Sequence, residues 1–198
     1  MQPGEKVSDQ LDRWLRADEP KTLGSLIELF GEKSFAVVFV LLLAVPALPL
    51  PTGGATHVFE VIAMLLALEL IIGRRQIWLP ERWKRRQVAG ESGGKLMGRL
   101  LRLIRWFERF SRPRLGVVLR QRVSGVVFGA LVLALSVTAF AAPPFTGLDT
   151  LPALGVVLLS LGILLEDIVV AIAGVVVGAL GAVLVIGLGS LVVKWLGG

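Results

Sequence analysis

The chain has no cysteine and a single histidine, His57. Without thiols there is neither a disulfide framework nor a thiolate metal site. One imidazole is too few for the histidine-rich sites that hold catalytic zinc, and no cofactor is implied. Charge is scarce, at 18% of residues, and it is absent from long stretches. No nucleophile–base pair or phosphate-binding loop can be read, since Gly53-Gly54 alone is too short for one, so the chain does not read as an enzyme. The polar start lacks the basic and apolar segments of a secretory signal, which leaves the first apolar run to act as its own insertion signal.

What is present is apolar. Hydrophobic residues make up 55% of the 198 residues and the mean hydropathy is +0.77, above the 45–50% or so usual in soluble domains. Five runs, 34–50, 56–72, 123–142, 151–165 and 168–193, hold almost no ionisable groups. An all-α integral membrane protein is expected, divided into an amphipathic segment (1–33), a first membrane hairpin (34–73), a basic linker (74–122), a second hairpin (123–167) and a glycine-rich final helix (168–198).

Two turn-forming stretches organise these runs. Ala44-Val-Pro-Ala-Leu-Pro-Leu-Pro-Thr-Gly-Gly-Ala-Thr56 separates the first pair, and Ala141-Ala-Pro-Pro-Phe-Thr-Gly-Leu-Asp149 the second. Pro, Gly and Thr break helices and restart them, so each reads as a hairpin tip. Asp149 or Thr150 suits an N-cap, with Pro152 tolerated in the first turn. Shifting the chain by 93 residues lays Pro51 on Pro144, Gly54 on Gly147 and Leu65, Leu66 and Leu68 on Leu158, Leu159 and Leu161. The tips therefore read as copies in an internal repeat. Paired interrupted segments of this kind point to a transporter-like binding site.

The runs 34–50 and 56–72 would each extend about 25 Å as helices, short of the roughly 30 Å hydrocarbon core. Two readings stand: short spanning helices joined by a surface loop, or a re-entrant pair whose tip ends inside the membrane and needs a polar pocket there. The linker carries fifteen of the 21 Lys and Arg residues against Glu81, Glu91 and Glu108, which places it and the N-terminus on the cytoplasmic side. Both hairpins then open toward the cytoplasm, which favours a parallel repeat; an inverted one survives only if each run is half a span.

Candidate site residues follow from this layout. Near the tips lie Pro51, Gly53, Gly54, Thr56, His57 and Glu60 of the first hairpin, and Pro144, Thr146, Gly147 and Asp149 of the second. His57 and Glu60, three apart, share a helix face, and a carboxylate within a membrane is a functional candidate by default, for a proton or a substrate. Glu69, Arg74 and Arg75 are placed at the cytoplasmic interface as a charge cluster. Glu166 and Asp167 mark a cytoplasmic turn from which they would pair with the basic linker. Arg99, Arg102, Arg105 and Arg109 recur at helical spacing among Leu100, Leu103, Ile104 and Phe107, a basic amphipathic helix suited to anionic lipid headgroups; nucleic acid is not the expected partner. Gly125 and Gly129, and Gly174 and Gly178, form small-residue faces for close helix packing within the chain or, alternatively, in a homodimer.

The stretch Leu66-Ala-Leu-Glu-Leu-Ile-Ile-Gly-Arg-Arg-Gln-Ile-Trp-Leu-Pro-Glu-Arg-Trp83, with the first tip and the segment Leu151-Pro-Ala-Leu-Gly through Glu166-Asp167, resembles the ExoD family of bacterial exopolysaccharide-synthesis proteins. The likeness covers roughly residues 20–196 and is most distinctive in Gly73-Arg74-Arg75 to Trp78-Leu79-Pro80. It implies a multi-pass inner-membrane protein associated with exopolysaccharide production and envelope stress. With the tips, it leads to the expectation of a transporter or flippase of lipid-linked or amphiphilic material. The alternative is a non-transporting scaffold that recruits or stabilises polysaccharide-synthesis machinery.

Overall fold

A computed structural model describes residues 6–48, 56–74, 76–78, 80–87, 91–111, 122–143 and 146–196. The described chain is helical throughout, with no strands apart from a single bridge between Thr22 and Gln87. In chain order the helices are α1 (Val7–Arg16), α2 (Leu23–Phe30), α3 (Ser34–Leu43), α4 (Thr56–Ile71), α5 (Glu81–Lys84), α6 (Glu91–Glu108), α7 (Arg122–Ala141), α8 (Thr150–Leu165) and α9 (Ile168–Leu196).

The first apolar run departs from its expected length. It is helical only to Leu43, because Pro46 lacks the N–H of the ladder and clashes with the preceding turn; residues 44–48 continue only as a turn. At ten residues, α3 is about 15 Å long. It is buried on every side, with Phe35, Val37, Phe39, Val40 and Leu43 all at 1% exposure or less. A helix without a polar stripe has to be enclosed like this, by protein or by lipid.

Around α3 the packing is reciprocal. The two hairpins are α3–α4 and α7–α8, and each helix also packs on the other hairpin: α4 on α7, and α3 on α8. Exchanging the hairpins turns one of these cross-contacts into the other. The outgoing helices also end alike. Gly73 N–H donates to Leu70 O and Arg74 N–H to Glu69 O at 3.0 and 3.2 Å; Glu166 N–H donates to Ile163 O and Asp167 N–H to Gly162 O at 3.3 and 2.8 Å. These are the same closing bonds, 93 positions apart, and in each case the chain turns through a left-handed residue, Gly73 at φ 94° and Glu166 at φ 57°.

Helix α9 covers α8 through backbone contact. A Cβ on Gly174 would fall 2.8 Å from the Gly155 carbonyl oxygen, and one on Gly155 would fall 2.6 Å from the Gly178 N. The Gly174–Gly178 face is therefore used inside the chain, while Gly178 also meets Leu135 of α7. Gly129 serves the α4–α7 contact in the same way: a Cβ there would lie 3.0 Å from the Ala67 carbonyl oxygen.

The outer surface inverts the soluble pattern. Helix α4 buries Thr56, Glu60, Ala63 and Ala67 and exposes Val58, Val61, Leu65 and Leu68, with Ile72 exposed just past its end. On α7 and α9 the exposed residues include Val127, Val137, Phe140, Ile172, Val176, Leu180, Val183 and Ile186. About 1.5–3 kcal/mol is forgone for each such side chain left in water, and the sum exceeds the roughly 5–15 kcal/mol by which domains are stable. In hydrocarbon that cost vanishes. Among the described residues two helices are long and apolar enough to cross a membrane, through Ser124–Ala141 and Ile168–Ser190, and only 33% and 22% of those windows is buried, unlike the core helices of soluble proteins.

The charged helices form a separate layer. Thr22 and Ser25 build a reciprocal cap at the start of α2, and Trp14 Nε1 donates to the Ser25 hydroxyl at 3.2 Å. Helices α1 and α6 pack together through Leu11, Met97, Leu100 and Ile104, all buried. Ser8 N–H donates to the Glu108 carboxylate at 3.0 Å across this contact.

Candidate functional site at the hairpin tips

The outgoing helices of the two hairpins start beside each other. Thr56, the first residue of α4 and 3% exposed, donates its hydroxyl to Asp149 Oδ2 at 3.4 Å. The two residues are 93 apart, the offset at which the tips superpose in sequence. Asp149 takes the N-cap position of α8 but does not cap it: its backbone is helical, φ −65° and ψ −24°, and its side chain makes no cap bond. Capping needs an extended backbone at that position. The carboxylate is turned to the other hairpin instead, which corrects the capping role expected for it.

One turn into α4, Glu60 is fully buried. Its Oε2 lies 2.7 Å from His57 Nδ1, the side chain of which is 25% exposed, and its Oε1 has no hydrogen-bond partner among the described residues. If Nδ1 carries the proton it donates to the carboxylate, and Nε2 is left as an acceptor. The His57 ring also lies 5.1 Å from the ring of Phe140, near the end of α7. Two 16-residue helices, α4 and α8, thus begin at one cluster, and the positive ends of their dipoles favour its carboxylates.

Not every tip residue joins this cluster. Thr146 is exposed and donates to Pro143 O at 2.7 Å, shaping the turn. Gly147 adopts φ 69°, a left-handed conformation that glycine takes without strain. Pro51, Gly53, Gly54 and Pro144 lie outside the described residues, as does Arg75.

At the opposite end Glu166 pairs with Lys33 at 2.9 Å, where the start of α3 meets the end of α8, and among the described residues no ion pair joins it to the basic linker it was expected to meet. Lys33 also donates to Leu164 O at 3.0 Å. Asp167 accepts from Val169 N at 2.9 Å and so starts α9. Glu69 accepts from Trp78 N at 3.3 Å, while the Arg74 guanidinium lies over the Trp78 ring at 5.9 Å. Arg105, expected at lipid, pairs with Asp12 at 3.3 Å; Arg99, Arg102 and Arg109 are exposed.

The sequence had not pointed to Phe140 or Lys33. Phe140 carries no pattern that separates it from other apolar residues of its run, and Lys33 gains its role only from the position of α8. Among the described residues no group of three or more His, Asp or Glu side chains could hold a metal ion.

These features define an all-helical protein with two helices of membrane-spanning length and a buried polar cluster where two hairpins meet. Residues 7–187 match the family model described as "Exopolysaccharide synthesis, ExoD", and the chain belongs to that family. It is 27% identical over 184 residues to the uncharacterized protein slr1875 of Synechocystis sp., covering 91% of this chain and 86% of that one. It is 29% identical over 147 residues to Protein ExoD of Rhizobium meliloti, covering 74% of this chain and 61% of that one. No solved structure matches.

Proposed function

We propose that this ExoD-family chain is a multi-pass protein of the bacterial inner membrane that serves exopolysaccharide production by moving a lipid-linked or amphiphilic substrate, with the hairpin tips as its polar site. The observation that carries this reading is Glu60, fully buried, paired with His57 and set beside the Thr56–Asp149 contact between the hairpins. An intramembrane carboxylate costs about 2.5–3.5 kcal/mol on insertion scales, so a fold that keeps one next to an imidazole has a use for it, and proton coupling or recognition of a polar headgroup is what such a pair supplies. The reading also takes the two hairpins as copies in a parallel repeat. Its support is the matching closing bonds at Gly73 and Glu166, the exchange of cross-contacts and the meeting of Thr56 with its counterpart Asp149.

The test is Glu60→Gln in cells that depend on the protein for exopolysaccharide. The expected result is loss of output at normal membrane abundance. Unchanged output would remove Glu60 from the mechanism.

A scaffold that recruits polysaccharide-synthesis machinery is the second reading, favoured by the outer face of α6 and the turn after it, where Arg99, Arg102 and Trp106, then Arg109 and Phe110, are exposed. That face also fits anionic lipid headgroups. Under the scaffold reading, charge reversal at Arg99 and Arg102 abolishes output while Glu60→Gln does not.

A further inference from the structure

A cleft of about 70 Å³ lies at the end of the bundle opposite the tips, where α3 and α7 begin and α4 and α8 end. Its lining includes Glu32 and Gly125, Phe35 and Phe128, and Leu70 and Ile163. Each of these three pairs is separated by 93 positions, the separation of Thr56 and Asp149. A contact between residues that exchange under a two-fold lies on or near its axis, so the tip cluster and this cleft mark the two ends of one pseudo-two-fold axis. The 16-residue α4 and α8 run between them, about 24 Å at 1.5 Å per residue.

Along this axis side chains of the two hairpins meet at two places. At the tips these are the Thr56–Asp149 bond and the His57–Phe140 ring contact. Behind the cleft, Phe39 stands edge-on to Phe128 at 5.7 Å and next to Phe35 at 6.3 Å. The cleft is smaller than the roughly 150 Å³ apolar cavity that admits benzene, so it passes nothing larger than the end of a chain until the hairpins separate there.

We infer that this cleft is the second mouth of the path that begins at the tip cluster, and that the two hairpins rock about their shared axis so that one mouth opens as the other closes. The inference rests on the proposed transport reading and deepens it. The chemistry of the two mouths differs: carboxylates, a hydroxyl and an imidazole at the tips, but two phenylalanines, a leucine and an isoleucine at the cleft, with Glu32 among them. The cleft mouth takes the hydrocarbon part of an amphiphile, and the tips take its polar part. Two meeting places at the ends of one axis are a bistable arrangement, in which stabilising one shifts the population toward opening at the other.

The chain has no cysteine, so Gly125→Cys supplies a single reporter thiol in the cleft. A Cβ at Gly125 would sit 3.8 Å from Leu70 Cδ1, an ordinary contact. The experiment measures the rate at which a small cationic methanethiosulfonate labels this thiol in the full-length protein in membrane vesicles. Three backgrounds are compared: parent tips, tips tied beforehand by a Thr56→Cys/Asp149→Cys crosslink, and tips loosened by Thr56→Val. The expected rates are at least threefold faster with tied tips and at least threefold slower with loosened tips. Equal rates in all three backgrounds would overturn the inference. Should Thr56→Val lower membrane abundance, Gly147→Ala, strained at φ 69°, loosens the tips by another route and has to slow labelling to the same extent. The labelling readout is independent of exopolysaccharide output. Coupled labelling with unchanged output in Glu60→Gln would discard the tip chemistry and keep the two mouths, whereas uncoupled labelling with lost output would do the reverse.

Discussion

Glu60 is held where a carboxylate is most expensive and has one partner to offset the cost. Its stripe on α4 is otherwise Thr56, Ala63 and Ala67, small residues that let α7 approach and leave no bulk to replace the carboxylate if it were lost. His57→Ala is expected to leave Glu60 buried without its 2.7 Å partner and to destabilise the protein by about 1–3 kcal/mol, the desolvation of an unpaired group. The double substitution His57→Ala/Glu60→Leu, which removes both polar groups, should recover much of that stability in a detergent melting assay while exopolysaccharide output stays lost. A double variant no more stable than His57→Ala would mean that the pair is not what holds this end of α4. His57 and Glu60 could be paired from their spacing alone, because i and i+3 share a helix face. Phe140 could not, since its neighbours in sequence are as apolar as it is.

Between elements, backbone contact carries the packing, and it separates glycines that the sequence treats alike. Gly174→Ala drives a methyl into Leu159 and the Gly155 carbonyl, neither of which can rotate away. It is expected to cost about 1–3 kcal/mol, as overpacking does, measured as a lowered melting temperature. Gly125→Ala, which meets only Leu70, should leave the melting temperature within experimental error. Equal effects of the two would show that α8 and α9 do not approach as closely as described. Helix ends give a second test. Glu166 is the one described non-glycine residue at positive φ, where its counterpart is Gly73, and the left-handed conformation costs roughly 1–2 kcal/mol. Glu166→Gly relieves that strain but loses the Lys33 pair, so stability is expected to change little. Glu166→Ala loses the pair and keeps the strain, and is expected to be the less stable of the two.

For the whole molecule, the arrangement of the hairpins predicts a topology. The segment before α3 and the linker before α7 lie at one end and both tips lie at the other. Single cysteines at Lys21 and Arg85 should therefore be labelled from one side of the membrane and a cysteine at Thr146 from the opposite side. Labelling of all three from the same side would mean that the tips end within or on the near face of the bilayer. The apolar outer face of α4, α7 and α9 and the charged α1–α6 layer fit a bundle set in hydrocarbon with its basic end in water.

Composition and punctuation determined much of this from the sequence alone: helical runs too apolar for water, prolines and glycines where helices stop, a basic segment between two pairs of apolar runs, and a carboxylate three residues from the one histidine. These are local signals, set by backbone chemistry and by the cost of burying charge. Only the tertiary structure decided what each signal meets. It gave the Gly174 face to α8, took Arg105 for Asp12 and Glu166 for Lys33, and turned Asp149 from its own helix toward Thr56. A partner more than a hundred residues away, such as Lys33 for Glu166, leaves no trace in local periodicity. The 93-residue offset is the exception: Thr56 and Asp149, which stand 93 positions apart as the Pro and Gly residues of the two tips do, meet in the structure.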